Sequence, residues 1–325
     1  MGVPEVSRWF ISGGAGFIGS HFTDRLLSDP ATARVTLFDN FSTGREWHYA
    51  HHAGDPRLQV VRADIKDTEA LRAAMPGHDV VIHLASNADI SLAVSDPDID
   101  FREGTLLTRQ VLEAARLAGV PRLLYASGSG VYGDLGELEA HEDHGPLLPI
   151  STYAASKLAG EALLCSYCHL FGLRACAFRF GNVVGPRQTH GVGFDFLRQL
   201  LANLRQLRIL GDGSQSKSYI HVEDVIGAVM CAYRKMDAPY AVYNVATGDY
   251  ITVAEIARLA IATLNLDPGA VQLAYSGGDR GWKGDVPVVR LNTDRIRSLG
   301  WTCSRGSRQA LRDSMRAMLA EQAKA

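Results

Sequence analysis

The sequence predicts an α/β fold: a doubly wound parallel sheet followed by a smaller, irregular C-terminal region. Three observations predict it. Short apolar runs alternate with longer amphipathic stretches from residue 8 to about 180, the pattern of parallel strands joined by crossover helices. The first apolar run passes straight into a cluster of glycines in which a helical pattern begins. After about residue 185 the alternation weakens. In order, the predicted strands are RWFIS (8–12), RVTLFD (34–39), LQVVRAD (58–64), DVVIHLA (79–85), RLLYAS (122–127) and RACAFRF (174–180), with helices near 17–28, 67–75, 103–118 and 152–171.

Beyond residue 185, GPRQTHGVGF reads as a loop, FDFLRQLLANL as a helix, RILGDGSQ as a short strand and turn, and 222–236 and 252–265 as helices. The expected division is 1–185 for the sheet domain and 186–325 for the second, with the chain free to cross between them. Ligands of doubly wound folds sit outside the carboxyl ends of the strands, so the second domain is expected to complete a ligand crevice there.

Composition narrows the function classes. With 325 residues, 46% of them hydrophobic and 21% charged, the chain can bury a substantial core. Its formal charge of -2, from 33 basic and 35 acidic residues, creates no basic field for nucleic acid or an anionic membrane. Any phosphate must be bound locally. No apolar run approaches the roughly 20 residues of a membrane span, and the N-terminus enters a strand almost at once, so a cytoplasmic protein is expected. Five cysteines, an odd number, suit a reducing compartment. Cys165 and Cys168 form a CxxC within a helical pattern and without a second pair; helix packing is the expected role, and no metal site is expected.

RWFIS runs directly into Gly13-Gly14-Ala15-Gly16-Phe17-Ile18-Gly19. In such a loop the first glycine permits the tight turn, the second lets backbone N–H groups approach a pyrophosphate, and the third allows close packing of helix on strand. Asp39 follows Gly19 by 20 residues, at the end of the second strand, where a carboxylate accepts hydrogen bonds from an adenosine ribose and repels a 2'-phosphate. A Rossmann-type domain holding NAD is therefore expected, with Arg45 nearby leaving NADP open. Asp64 ends the third strand and is either a contact for the adenine amine or a strand-end cap. The expected cofactor contacts are Gly13, Gly16, Phe17, Ile18, Gly19, Asp39, Asn40, Ser42, Gly44, Asp64, Ile65, Leu84, Ala85, Tyr153 and Lys157.

Tyr153 and Lys157 stand four apart in ISTYAASKLAGEAL, on one face of a helix. A phenol, with a pKa near 10, is a poor base at neutral pH, but an adjacent ammonium favours the phenolate. Together with GGAGFIGSH, DNFSTG, HLAS at 83–86, VYGD at 131–134, RFGNVVGPR at 179–187 and SYIHVEDV at 218–225, this pair resembles the extended short-chain dehydrogenase/reductase superfamily, in particular its NAD-dependent nucleotide-sugar epimerases and dehydratases. The resemblance covers residues 8 to about 302. From SYIHVEDV to GDRGWKGDV it is most similar to the UDP-galactose 4-epimerases.

That resemblance implies Tyr153 as acid/base on the sugar hydroxyl and Lys157 as its partner and a ligand of the nicotinamide ribose. It implies Asn182 near the substrate diphosphate, Lys217 and Arg280 as a basic clamp on it, and Asp285 near the uridine ribose. For Lys217 and Arg280 a solvated surface charge is the alternative, and for Asp285 a turn role. Tyr219, in the SYIHVEDV block, completes the substrate set. Val289, five beyond the glycine of GDV, stands where relatives often carry a tyrosine facing the sugar C2 substituent, so a smaller side chain leaves room for an N-acetyl group. A UDP-sugar substrate and a homodimer follow from the same resemblance.

Two departures stand out. Relatives place a Ser or Thr donor before VYG, where this chain has Gly128 within Ser127-Gly128-Ser129-Gly130; either Ser129 or Ser127 is the substitute, with Ser129 preferred for its flanking glycines and Ser127 expected to close the strand, or Tyr153 works without a hydroxyl partner. Where relatives begin a helix with Asn-Val near the nicotinamide, this chain reads Arg102-Glu103-Gly104-Thr105. The first departure also bears on the reaction. The 4,6-dehydratases need an Asp–Glu acid/base pair just before VYG, and here those positions are Ser129 and Gly130, which cannot do that chemistry. What the resemblance then implies is C4 epimerisation of a UDP-hexose through a 4-keto sugar. A uronate 4-epimerase, another reductase, dehydratase or decarboxylase on the same scaffold, and a non-catalytic NAD-binding regulator are the alternatives.

Overall fold

The computed structural model describes residues 7–322; the outermost residues of the expected domains, 1–6 and 323–325, lie outside them. Seven strands build the main sheet: β1 Ser7–Ser12, β2 Thr32–Asp39, β3 Leu58–Arg62, β4 Val80–His83, β5 Arg122–Gly128, β6 Arg174–Phe180 and β7 Tyr240–Val245. They lie in the order β7-β6-β5-β4-β1-β2-β3, and the pairings from β3 through to β5 are parallel. The expected α/β doubly wound class is what forms. Strand order reverses at β1, so the loops leaving β1 and β4 open at a topological switch point.

Helices α1 Phe17–Leu27, α2 Thr68–Ala74, α3 Leu106–Leu117 and α4 Thr152–Phe171 connect these strands. Their ends are set by local chemistry. Asp67 accepts a hydrogen bond from Ala70 N at 3.0 Å and Ser151 one from Ala154 N at 3.2 Å, while Gly172 closes α4 in the left-handed conformation. The helix expected at 103–118 begins instead as a π-helical turn, Phe101–Thr105. A Cβ at Gly104 would lie 2.5 Å from Ser156 Oγ, so glycine lets this turn press against α4. Cys168 packs in the core beneath α4, and burial pushes its thiol up to about 11.

The remaining helices are α5 Val192–Ala202, α6 Val222–Lys235, α7 Val253–Thr263, α8 Asp294–Ser298 and α9 Ser307–Gln322, accompanied by short two-stranded pairings. Besides α8 and several short strands, two longer elements escaped the sequence reading. The strand β7 is a lone apolar hexapeptide outside the alternating region, placed by its hydrogen bonds to the sheet edge. The helix α9 carries a narrow stripe of Ala310, Leu311, Ser314, Met315 and Met318, all buried.

The chain sorts into two compact units and crosses between them more often than the single expected division at 185: one holds the described residues to 131 with 151–179 and 228–243, the other 132–150, 180–227 and 244 onward. Each has its own core. In the first, Phe10, Phe38, Val81, Leu123 and Tyr125 of the sheet meet Val111, Leu112 and Leu164 of α3 and α4; in the second, Phe196, Leu200, Ile256 and Ile261 of α5 and α7 meet Leu311 and Met315 of α9.

Candidate active site

The glycine loop is shaped by two constraints that only glycine meets. Gly13 has a positive φ of 73°, and a Cβ there would lie 2.8 Å from Ala85 N. At Gly19 a Cβ would lie 2.5 Å from Gly13 O, so α1 packs directly against the loop. Gly16 caps α1 without a side-chain bond, and the first turn carries no acid. The first turn of α1 is thus left with no capping side chain and no acid at the positive end of the helix dipole, the arrangement that a pyrophosphate fits. Phe17 is buried against His21, and Leu84 N and Ala85 N both donate to Ser12 O, closing β4 over the loop.

Asp39, 7% exposed, receives Ala15 N at 2.9 Å and Phe41 N at 2.8 Å on its two oxygens, while burial raises its pKa. The carboxylate that would meet a ribose is thus fixed by the glycine loop itself. Arg45 turns its guanidinium to the Gly44 carbonyl at 2.8 Å. Asn40 donates to Asp64 at 2.9 Å and Ser42 N to Asn40 at 3.0 Å. Asp64 also receives Lys66 N at 2.8 Å; burial pushes its carboxyl up, but these hydrogen bonds together hold it below its ordinary value. Those two bonds make it a cap on the turn that follows β3. The Ile65 side chain packs in the core, leaving only its backbone for a ligand.

On α4, Tyr153 is half-buried and Lys157 is 3% exposed, with the ammonium 5.4 Å from the tyrosine ring centroid. Burial lowers Lys157 to about 8, opposed by Asp100. Burial raises Tyr153, and a hydrogen bond from Ser86 opposes that rise. Lys157 Nζ gives one of its three protons to Ala126 O at 2.9 Å, and the groups that shift Tyr153 are its burial, Ser86 and Asp100. Sequence reasoning missed Ser86 and Asp100, although HLAS marked the segment. Asp100 accepts from Asn87 at 2.9 Å and from Thr152 at 2.6 Å, tying the loop after β4 to the first turn of α4. Below lies a chain of hydrogen bonds from Ser12 through His83 to Thr108, with lengths of 2.6 and 3.1 Å; burial holds His83 at about 3, neutral.

The two serines of the SGSG segment differ in their surroundings. Ser127, 5% exposed, donates to Glu161 Oε1 at 2.6 Å, and Glu161 in turn takes a forked pair of hydrogen bonds from Arg179. Its hydroxyl is committed to a buried network. Ser129, half-buried in the turn Ser129–Tyr132, is the remaining hydroxyl. A Cβ at Gly128 would meet nothing within 4 Å, whereas one at Gly130 would lie 3.0 Å from Ala154 Cβ of α4.

In the second unit the predicted substrate residues sit differently from a free basic clamp. Lys217 pairs with Asp285 at 2.5 Å, and Arg280 with Asp134 at 2.6 Å and with Asp285 O at 2.7 Å. The acids neutralise the two cations. Asn182 is exposed, its amide 3.4 Å from Ser218 O, and Val289 is half-buried beside Ser216. Tyr219 is 7% exposed within the apolar core, where burial raises its phenol. Arg290, which the sequence reading passed over, lies 4.1 Å over the Tyr250 ring and donates to Ser216.

Residues 9–246 match the NAD dependent epimerase/dehydratase family. The chain is 36% identical over 303 residues to a UDP-glucose 4-epimerase of Mycolicibacterium smegmatis, covering 90% of this chain and 93% of that one. It is 31% identical over 285 residues to a dTDP-glucose 4,6-dehydratase of Streptomyces griseus, covering 86% of each. Among solved structures it is similar to a UDP-glucose 4-epimerase of Thermus thermophilus in complex with NAD, with a TM-score of 0.83, 32% identity and coverage of 96% and 99%. No helix among the described residues is long and apolar enough to cross a membrane. A match of that length, on a glycine loop whose geometry fits the dinucleotide, shows that this chain belongs to the NAD-dependent epimerase/dehydratase family of nucleotide-sugar enzymes, with NAD as its cofactor.

Proposed function

We propose that the enzyme interconverts the C4 configuration of a UDP-hexose through a 4-keto sugar. The observation that carries this reading is the pair of positions before Val131. A 4,6-dehydratase needs an acid and a base there; this chain has Ser129 and Gly130, and Ala154 of α4 leaves no ordinary space for a side chain at Gly130.

NAD, when bound, supplies a reversible acceptor for the C4 hydride. In the proposed site the glycine loop and the start of α1 hold its pyrophosphate and Asp39 its adenosine ribose. Tyr153 takes the C4 hydroxyl proton as the carbonyl forms and returns it when the rotated sugar is reduced on its other face. Lys157 is the buried cation beside that phenol, and Ser129 donates to the reacting oxygen. Lys217 and Arg280 receive the diphosphate by exchanging their carboxylate partners, with Asn182 beside it, Asp285 near the ribose, and Val289 leaving room at C2. A cytoplasmic homodimer belongs to the same reading.

The test is incubation with a panel of UDP-hexoses, UDP-uronates and N-acetylated UDP-hexosamines, followed by NMR of the products. Interconversion of C4 epimers without loss of water is expected; accumulation of a 4-keto-6-deoxy sugar would overturn the proposal. Because the hydride returns to the sugar in each cycle, enzyme purified without added nucleotide should carry NAD(H). Denaturation and assay of the released nucleotide check this, and recovery of NADP(H) alone would contradict the role given to Asp39.

Ser129→Ala is expected to slow turnover roughly 5- to 150-fold, the loss of a donor contributing about 1–3 kcal/mol to the barrier. Ser127→Ala is expected to act on stability instead, by about 1.5–3 kcal/mol for a hydrogen bond to a charged group. Turnover and urea midpoints of both variants separate the two effects. If Ser129→Ala turns over normally, the segment supplies no hydroxyl to the reaction.

A further inference from the structure

A cluster that the proposed reaction does not use lies where α1 meets the turn Ala50–His52. His51 Nε2 is 2.7 Å and His52 Nε2 2.8 Å from the same oxygen, Asp24 Oδ1. One ligand atom from each residue lies within 4.8 Å of the others. Successive side chains of a 3-10 turn diverge by about 120°, yet these two rings tilt together, centroids 4.2 Å apart, to bring both nitrogens to one carboxylate.

We propose that Asp24, His51 and His52 form a binding site for a divalent transition metal of the zinc class, independent of the reaction above. Two neutral imidazoles and a carboxylate are a donor set for such ions, at about 2.0–2.2 Å from the metal, with water completing the shell. A tetrahedron of that size spaces its ligands about 3.3 Å apart, so each nitrogen moves only roughly 0.5 Å from the carboxylate oxygen. All three side chains are partly exposed, which permits that adjustment and admits the ion. The neighbouring carboxylate, Asp55, is already paired with Arg57 at 2.7 Å and does not compete.

The site has a structural consequence. Asp24 lies on the helix that begins at the glycine loop, while the turn carrying the histidines follows a segment whose Arg45 N and His48 Nδ1 both donate to Ala15 O of that loop, at 3.0 and 2.7 Å. A bound ion would cross-link α1 to this segment and so brace the glycine loop.

The NAD-loaded, full-length enzyme, stripped with a chelator, is titrated with ZnCl2 and CoCl2 by calorimetry and visible absorption. One saturable equivalent of each ion is expected, with cobalt giving the ligand-field bands of a nitrogen and oxygen site and zinc raising the thermal midpoint. Asp24→Asn and the double variant His51→Ala/His52→Ala are expected to weaken binding at least about 10-fold, the scale of losing a group that holds a metal. The variant His141→Ala/His144→Ala, which removes a different histidine pair, should leave it unchanged. NAD content and circular dichroism report folding, and His51→Gln, at a half-exposed side chain, gives the same test if the double variant does not fold. Absence of saturable zinc binding, or unchanged affinity in both Asp24→Asn and His51→Gln, would overturn the proposal.

Discussion

Tyr153→Phe is expected to lower kcat by about 10²- to 10⁴-fold, the range for loss of a positioned acid/base group, while leaving the fold and the NAD content intact. The substitution removes one oxygen from a half-buried ring. Its hydrogen bond from Ser86 is lost, but Asp100, Asn87 and Thr152 still hold the first turn of α4 against the loop after β4. Lys157 keeps its own bond to Ala126 O. KM for the nucleotide-sugar should therefore change much less than kcat, because the diphosphate and the nucleoside are bound by other residues in the proposed site. Steady-state kinetics with a nucleotide assay on the denatured variant measure both quantities. Turnover within a few-fold of the unaltered enzyme would remove Tyr153 from the mechanism.

The largest effect on stability is expected at the ion pair beneath the SGSG segment. Arg179 and Glu161 are each 4% exposed and joined at 2.7 Å, and Ser127 shares the carboxylate. Arg179→Ala leaves a buried carboxylate with one hydroxyl for company, a change of about 3–5 kcal/mol by the cost of stranding one member of a buried pair. Glu161→Gln retains an oxygen for Ser127 and avoids the stranded negative charge but leaves the guanidinium unbalanced. The double variant Arg179→Met/Glu161→Leu removes both charges and should recover much of the loss, because the pair must also offset its own desolvation. Urea midpoints of the single and double variants decide this. A single-variant loss below about 1 kcal/mol, the scale of an exposed pair, would show that water reaches the network.

The sequence by itself determined six of the seven sheet strands, the glycine loop and the Tyr–Lys pair, because each is written in local terms. Alternating apolar runs fall into strands and helices by periodicity, a left-handed turn at Gly13 admits no side chain, and residues four apart share a helix face. Asp39 was legible too, since a βαβ unit sets the distance from the glycines to the next strand end. Even the catalytic departures, Gly128 and Gly130, could be read as missing side chains.

Tertiary structure decided which polar groups are available. The flanking glycines favour Ser129 over Ser127 in the sequence, but the carboxylate that engages Ser127 lies 34 positions away. Lys217 and Arg280 were legible as cations, whereas their partners Asp285 and Asp134 lie 68 and 146 positions from them. The same holds for Tyr219, which reads as a polar aromatic and packs as an apolar one, and for Asp24, whose two histidines lie 27 and 28 positions on. The reason is physical: backbone conformation follows from short-range sterics and periodic burial, but a charge or hydroxyl removed from water must find whatever partner the packed elements bring within about 3 Å, and sequence separation does not limit that choice.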